Sequence, residues 1–385
     1  MEFYAHPQYL QKKLNKLYPV IDQEEILIIA GDLGVAGSGV TKLCMNEEYR
    51  SMLQYFAKRW NTVILVPGNH EYYDRDKYCK LEHIDNMIDF ECKKPLCWKL
   101  NDSSAPFKIN FQGIQNFKVP KIILDKKNVQ LIKEPISIEA YQKMFDQVLQ
   151  AINYGNSFLV NLTTSTPINI NSSLEQIFYT VNSKYACWLE NEFVSFSPET
   201  FITIKEGMIR SYPMKGTIDA TIPNAKNILL HDQKEIAEHA TIVDLIRNDL
   251  SLVATNVSVS KYRVYEEIRT NNGLIGQVSS EISGTLPENY REQIGDMLFK
   301  LLPAGSVSGA PKQKTMEIIK SVEIQDRGYY TGIAGYFDGN NLDSCVLIRY
   351  IDNNNLYKSG GGITFNSNVV DEYHEMINKV YVPIF

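Results

Sequence analysis

The chain has 385 residues, of which 44% are hydrophobic and 22% charged, and a formal net charge of -6 at neutral pH. These proportions exclude a disordered or fibrous protein. A negative balance without a basic stripe also excludes the electrostatic footprint that nucleic-acid binding requires.

In chain order, the N-terminus Met-Glu-Phe-Tyr-Ala-His lacks the basic and apolar regions of a secretory leader. No apolar run reaches the roughly 18 residues that cross a bilayer. A cytoplasmic protein with no membrane partner is the expectation. Cys44, Cys79, Cys92, Cys97, Cys187 and Cys345 are scattered without C-x-x-C spacing, which predicts reduced thiols and neither a zinc site nor a disulfide framework. Residues 26–31 and 62–68 are short apolar runs that end at glycine, with helical spacing around Met52, Phe56 and Trp60 between them. Strand, helix, strand is predicted, the strands parallel and covered on both faces. From Asp74 to Glu82 the apolar period is lost, and this stretch reads as a junction. Beyond it, alternating strands such as 158–163 and 193–196 and amphipathic helices at about 231–250 and 289–301 predict an α+β layered domain.

Three groups of residues in that larger piece carry chemistry. Glu235 and Glu238 stand at i, i+3, as do Glu372 and Glu375, so each pair shares one helix face. Four carboxylates on two helices suit a hard cation such as magnesium, although such pairs are also common on solvated faces. In Ser211-Tyr-Pro-Met-Lys-Gly-Thr217, Lys215 precedes a glycine that admits close approach to the backbone. It reads as either a desolvated nucleophile or a turn lysine. Leu301-Leu-Pro-Ala-Gly-Ser-Val-Ser-Gly-Ala-Pro-Lys312, Arg327-Gly-Tyr-Tyr330, Arg349 and Gly360-Gly361-Gly362 offer backbone amides and a guanidinium for an anion, or simply turns.

In this order, these segments resemble the chorismate-utilising enzymes, which include anthranilate, isochorismate and aminodeoxychorismate synthases. The likeness runs from about Tyr141 to Phe385 and includes Asn161-Leu-Thr163, Ser197-Pro-Glu-Thr-Phe201, Lys234-Glu-Ile-Ala-Glu-His239, Asp244-Leu-Ile-Arg-Asn-Asp-Leu250 and Glu372-Tyr-His-Glu-Met-Ile-Asn-Lys379. It implies a large sandwich of antiparallel sheets with outer helices over residues 85–385. By the same resemblance, a lysine at position 215 marks the aminodeoxychorismate synthase subgroup, which serves para-aminobenzoate and folate synthesis. Lys215 would attack C2 of chorismate while Glu199 protonates the departing C4 hydroxyl. Glu238 and Glu375 would hold magnesium, with Glu235 and Glu372 joining through water. Thr217, Tyr330, Arg349, the amides of Gly360, Gly361 and Gly362, and Lys379 would contact the substrate. Where many relatives carry histidine before Val-Ser, this chain reads Gly276-Gln277-Val278-Ser279. No cysteine stands in a glutaminase context, so ammonia would come from a separate glutamine amidotransferase subunit.

Gly31-Asp32-Leu33-Gly34 and Gly68-Asn69-His70-Glu71 resemble motifs of calcineurin-like metallophosphoesterases, in which Asp32 and Asn69 would bind metal and His70 would assist the leaving group. No Asp-x-His precedes Asp32 and no Gly-His-x-His follows His70, so a two-metal site lacks ligands. Residues 1–80 are therefore expected to be a small, incomplete α/β phosphoesterase-like remnant. The rival readings are anthranilate synthase component I, a phosphoesterase with an attached chorismate-binding module, and a purely structural partner for an amidotransferase.

Overall fold

The computed structural model describes residues 26–31, 62–67, 84–99, 105–118, 129–270 and 273–383. The chain divides into two units, Met1–Leu81 with Arg291–Asp296, and Glu82–Tyr290 with Met297–Phe385. In the first, the strands Ile26–Gly31 and Thr62–Pro67 pair in parallel, Ile26 opposite Thr62 and Gly31 opposite Pro67. Their continuous apolar sequence suits that pairing. Asp32, Asn69, His70 and the helix expected around Met52–Trp60 lie outside the described residues.

The second unit is built on two nine-stranded antiparallel sheets among the described residues. One runs in the order Gly309–Ala310, Leu159–Ile170, Leu356–Ile363, Tyr350–Asp352, Phe193–Ser197, Tyr185–Leu189, Phe107–Phe111, Ile114–Gln115, with Leu131–Lys133 added beside Leu159–Ile170. The other runs Met214–Asp219, Gly273–Thr285, Met208–Ser211, Thr200–Lys205, Leu342–Val346, Ile333–Phe337, Ile84–Ile88, Leu96–Lys99, with Thr255–Thr270 paired to Gly273–Thr285.

Alternation in the sequence sets which face is buried. In Phe107-Lys-Ile-Asn-Phe111, the three apolar side chains are fully buried and the two polar ones are not. Phe107, Ile109, Phe111, Tyr185 and Phe193 of the first sheet meet Met87, Ala334, Tyr336 and Cys345 of the second in one core, so the sheets stack face to face. The helices Ile138–Asn153, Lys312–Val322 and Val369–Asn378 cover the outer face of the first sheet through Tyr141, Phe145, Ile318, Ile319 and Met376 against Val160, Leu162 and Ile363. The mixed helix and antiparallel-sheet fold expected from the sequence is thus observed.

The helix expected at about 231–250 is observed as Gln233–Ser251, and a separate short helix, Ala225–His231, precedes it. Asp232 is extended and its side chain accepts the Glu235 N–H at 3.0 Å, so it ends one helix and caps the next. The expected 289–301 helix is a 3-10 turn, Tyr290–Gln293, continued by Ile294–Leu301. Cys92, Cys97, Cys187 and Cys345 are free thiols. No helix among the described residues is long and apolar enough to cross a membrane.

Candidate active site

Lys215 stands on an irregularity in its strand. Met214 lies opposite Ser279 and Thr217 opposite Gln277, so three steps on one strand match two on its neighbour, which makes a bulge at Lys215-Gly216. Gly216 takes φ +85°, the left-handed region open to glycine. Its bare α-carbon is also needed for space. A methyl there would sit 2.9 Å from Glu235 Oε2 and 3.0 Å from Leu229 Cδ1. The Glu235 carboxylate therefore rests on the backbone next to Lys215, in the first turn of the Gln233–Ser251 helix, where the helix dipole favours a negative charge. Glu238 follows on the same helix, and Thr217, just past the bulge, is exposed. The next residue, His239, is fully buried and its Nε2 lies 2.6 Å from Ser280 Oγ, which also accepts the Arg263 N–H at 2.9 Å. That contact fixes the helix against the strand Gly273–Thr285.

Glu199 occupies the turn between Phe193–Ser197 and Thr200–Lys205. Its N–H donates to Ser197 Oγ at 3.1 Å and its carboxylate accepts a short hydrogen bond from Ser306 Oγ. Around this pair, Ser211, Pro213, Asp249 and Leu250 wall a cavity of about 30 Å³. That holds water and not a ring-sized ligand. Lys312 Nζ reaches Asp249 Oδ2 at 2.8 Å and donates to the Leu301 carbonyl at 2.6 Å, so it anchors both ends of the Ser306 loop. Burial pushes the Asp249 carboxyl above the usual carboxylate range, with the Lys312 charge opposing the shift. Ser306, Asp249 and Lys312 all lie in motifs quoted above, but their pairing depends on tertiary structure.

Arg349, at φ +52°, joins Leu342–Val346 to Tyr350–Asp352. Its guanidinium carbon is 5.3 Å from the centre of the Tyr381 ring, and its buried Nε has no hydrogen-bond partner among the described residues. Buried donors are rarely left unmatched, so a guanidinium in this state suits an anionic ligand. Tyr330 is 4% exposed, with its ring 5.8 Å from that of Tyr350. Burial pushes its phenol up, and both Arg349 and Glu199 lie within electrostatic reach of it. Glu199, Tyr330 and Arg349 thus form one neighbourhood.

A second neighbourhood lies over the glycine strand. A methyl on Gly361 would stand 3.1 Å from Glu372 Oε2 and 3.7 Å from Glu375 Oε1, so two carboxylates converge above one bare backbone position. Glu372 is 4% exposed and accepts from Ser367 Oγ at 2.7 Å. Lys379 Nζ bridges Glu375 Oε1 at 2.6 Å and the Gly360 carbonyl at 2.8 Å. Gly362 pairs with Asn161 across the sheet. Among the described residues, no three acidic, cysteine or histidine side chains gather in one metal-binding group. The carboxylates instead stand as Glu372 with Glu375 over Gly361, and Glu235 over Gly216.

Comparison with known proteins gives this geometry a context. A family description of chorismate binding enzymes matches residues 112–384, and one of calcineurin-like phosphoesterases matches residues 4–148. An uncharacterized PabA-like protein of Haemophilus influenzae is 50% identical over 302 residues, covering 77% of this chain and 91% of that protein. Aminodeoxychorismate synthase component 1 of Bacillus subtilis is 30% identical over 265 residues, 64% of this chain and 55% of the relative. The crystal structure of anthranilate synthase component I from Streptococcus pneumoniae superposes with a TM-score of 0.56 at 28% identity, covering 66% of this chain and 58% of that one. The chain therefore spans little more than half the length of these two synthase components. With the match reaching from the strand Ile114–Gln115 through the glycine strand to the last helix, the chain belongs to the chorismate binding enzyme family.

Proposed function

We propose that this chain aminates chorismate at C4 to give 4-amino-4-deoxychorismate, using ammonia released by a separate glutamine amidotransferase subunit. The observation that carries the reading is Lys215 on the Gly216 bulge, with the Glu235 carboxylate against the neighbouring backbone. A bulge turns one residue out of the strand's alternation, which is how a sheet presents a single side chain to a ligand. The Lys215 amine forms a bond to C2 of the ring, the double bonds shift, and the C4–O bond breaks. The Glu199 carboxyl supplies the proton with which that oxygen leaves as water. Ammonia then bonds to C4, the C2–N bond to Lys215 breaks, and Glu199 recovers a proton. The net change is exchange of hydroxyl for amine with loss of one water.

Arg349, with its spare buried donor, and the Gly360–Gly362 backbone receive the substrate's carboxylates. Glu372 and Glu375 fit magnesium, which accepts one or two carboxylates and completes its shell with water and an anionic substrate. Bound there, it would neutralise a substrate carboxylate and orient it. The Gly361→Ala protein is expected to need about tenfold more magnesium for half-maximal activity, because the added methyl displaces a Glu372 carboxylate that Ser367 holds in place. A magnesium titration equal to wild type would remove Glu372 from the metal's surroundings.

The decisive test incubates the purified chain with chorismate, magnesium and ammonium and identifies products by mass. Aminodeoxychorismate is expected. Anthranilate with pyruvate, or unchanged chorismate, would overturn the reading.

A further inference from the structure

In place of the histidine expected before Val278-Ser279, the chain has a bare backbone at Gly276, and the structure shows what stands above it. A methyl group on Gly276 would lie 2.6 Å from Cζ and 2.5 Å from Cε2 of Tyr265, and closer still to the Tyr265 hydroxyl. No residue but glycine fits under that ring without moving it. Tyr265 is cross-strand from Val278, two positions along from Gly276, and leans across the glycine on the same face. Gly276 in turn lies opposite Ile218, two residues beyond the Lys215-Gly216 bulge.

The face is the one that carries the acid-bearing helix. Val278 and Ser280 alternate onto it, and Ser280 meets His239 there. Leu229 and Glu235, from the two helices Ala225–His231 and Gln233–Ser251, close on Gly216, and Lys226 from the first of them lies 6.0 Å from the centre of the Tyr265 ring. Tyr265 is half-buried, and its hydroxyl donates a long hydrogen bond, 3.4 Å, to Glu267 Oε1. Burial, and then the Glu267 charge, raise the phenol above its ordinary value, so it remains a proton donor at neutral pH.

We propose that Tyr265 contacts the substrate, its hydroxyl donating a hydrogen bond to an oxygen of chorismate bound beside the Lys215-Gly216 bulge, in the space that an imidazole on residue 276 would otherwise fill. Gly276 is then the counterpart of Tyr265, because the bare glycine leaves room for the ring. The inference rests on the proposed function for the reaction but not for the contact itself.

The test is chosen to separate the two. Tyr265→Phe keeps the ring over Gly276 and removes the hydroxyl. Chorismate binding, read by calorimetry with magnesium and without ammonium, is expected to weaken about tenfold, the cost of one lost hydrogen bond to a charged or polar oxygen. An unchanged Kd would overturn the proposal. A second comparison uses Tyr265→Ala, which clears the space, with and without Gly276→His. The histidine is expected to restore binding to within about threefold of wild type, since a ring N–H can donate from the same place. No gain over Tyr265→Ala alone would count against a shared position. Wild-type protein that binds chorismate but yields no aminated product would sink the proposed reaction while leaving the Tyr265 comparison readable.

Discussion

Lys215→Ala is expected to lower the rate of aminodeoxychorismate formation on the order of 10³-fold or more, because removing a covalent nucleophile removes the step that the rest of the site serves. Chorismate binding should survive. Arg349, the Gly360–Gly362 backbone and the Glu372–Glu375 pair all belong to other elements, and alanine on an extended strand next to Gly216 asks nothing new of the bulge. The informative measurement is therefore double. Turnover with ammonium is followed by product mass, and the intact protein is weighed after exposure to chorismate and magnesium alone. Wild type should gain the mass of chorismate less one water, whereas Lys215→Ala should gain nothing. Equal turnover in the two proteins would remove Lys215 from the chemistry.

The local parts of this site were readable in the sequence, and the reason is periodicity. Glu235 with Glu238 and Glu372 with Glu375 do lie on helices, Gln233–Ser251 and Val369–Asn378. What spacing could not give is which backbone position each carboxylate meets. Glu235 lies on Gly216 and the other pair on Gly361, because each glycine admits whichever carboxylate the sheet order brings to it. The strand expected to end at Thr163 runs on to Ile170. Pro167, which has no N–H to give the ladder, is nonetheless carried in it opposite Leu356. The start of the Gln233–Ser251 helix carried a readable signal of its own, an Asp three residues before Glu235 that serves as its cap.

Sheet order lies further from the sequence. The strands Ile84–Ile88 and Leu96–Lys99, early in the chain, complete the sheet whose other members come from residues 200–346. No local pattern specifies such a pairing, because alternation sets which face a strand buries and not which neighbour it takes. The Tyr265–Gly276 relation is of the same kind. A glycine inside a strand signals that something approaches the backbone closely, but naming Tyr265 as the visitor needs the register of Thr255–Thr270 against Gly273–Thr285.

Arg327→Met should cost about 3–5 kcal/mol of stability, seen as a fall of about 10 °C in Tm. Arg327 is 2% exposed and its side chain is fully committed. Nε and one terminal nitrogen grip both oxygens of Glu323 at 2.9 and 2.6 Å, while the terminal nitrogens also donate to the carbonyls of Val307 and Asn161, each at 2.7 Å. The guanidinium carbon packs 4.4 Å from the centre of the Phe90 ring. Methionine fills similar volume but leaves the Glu323 carboxylate buried, with the Thr163 N–H at 3.0 Å as its remaining donor, and leaves two carbonyls without theirs. Because the damage is an uncompensated charge, removing both charges should be milder than removing one: Arg327→Met with Glu323→Leu is expected to recover part of the loss, a coupling that a double-mutant cycle reads directly. The bonds to Val307 and Asn161 also give the pair a second consequence. They tie the turn that carries Ser306, the partner of Glu199, to the strand that faces Gly362. Arg327→Met protein assayed well below its Tm should therefore still lose activity. A variant that melts lower but keeps full turnover would make this ion pair a stabilising element alone, with no part in holding Glu199 against its substrate.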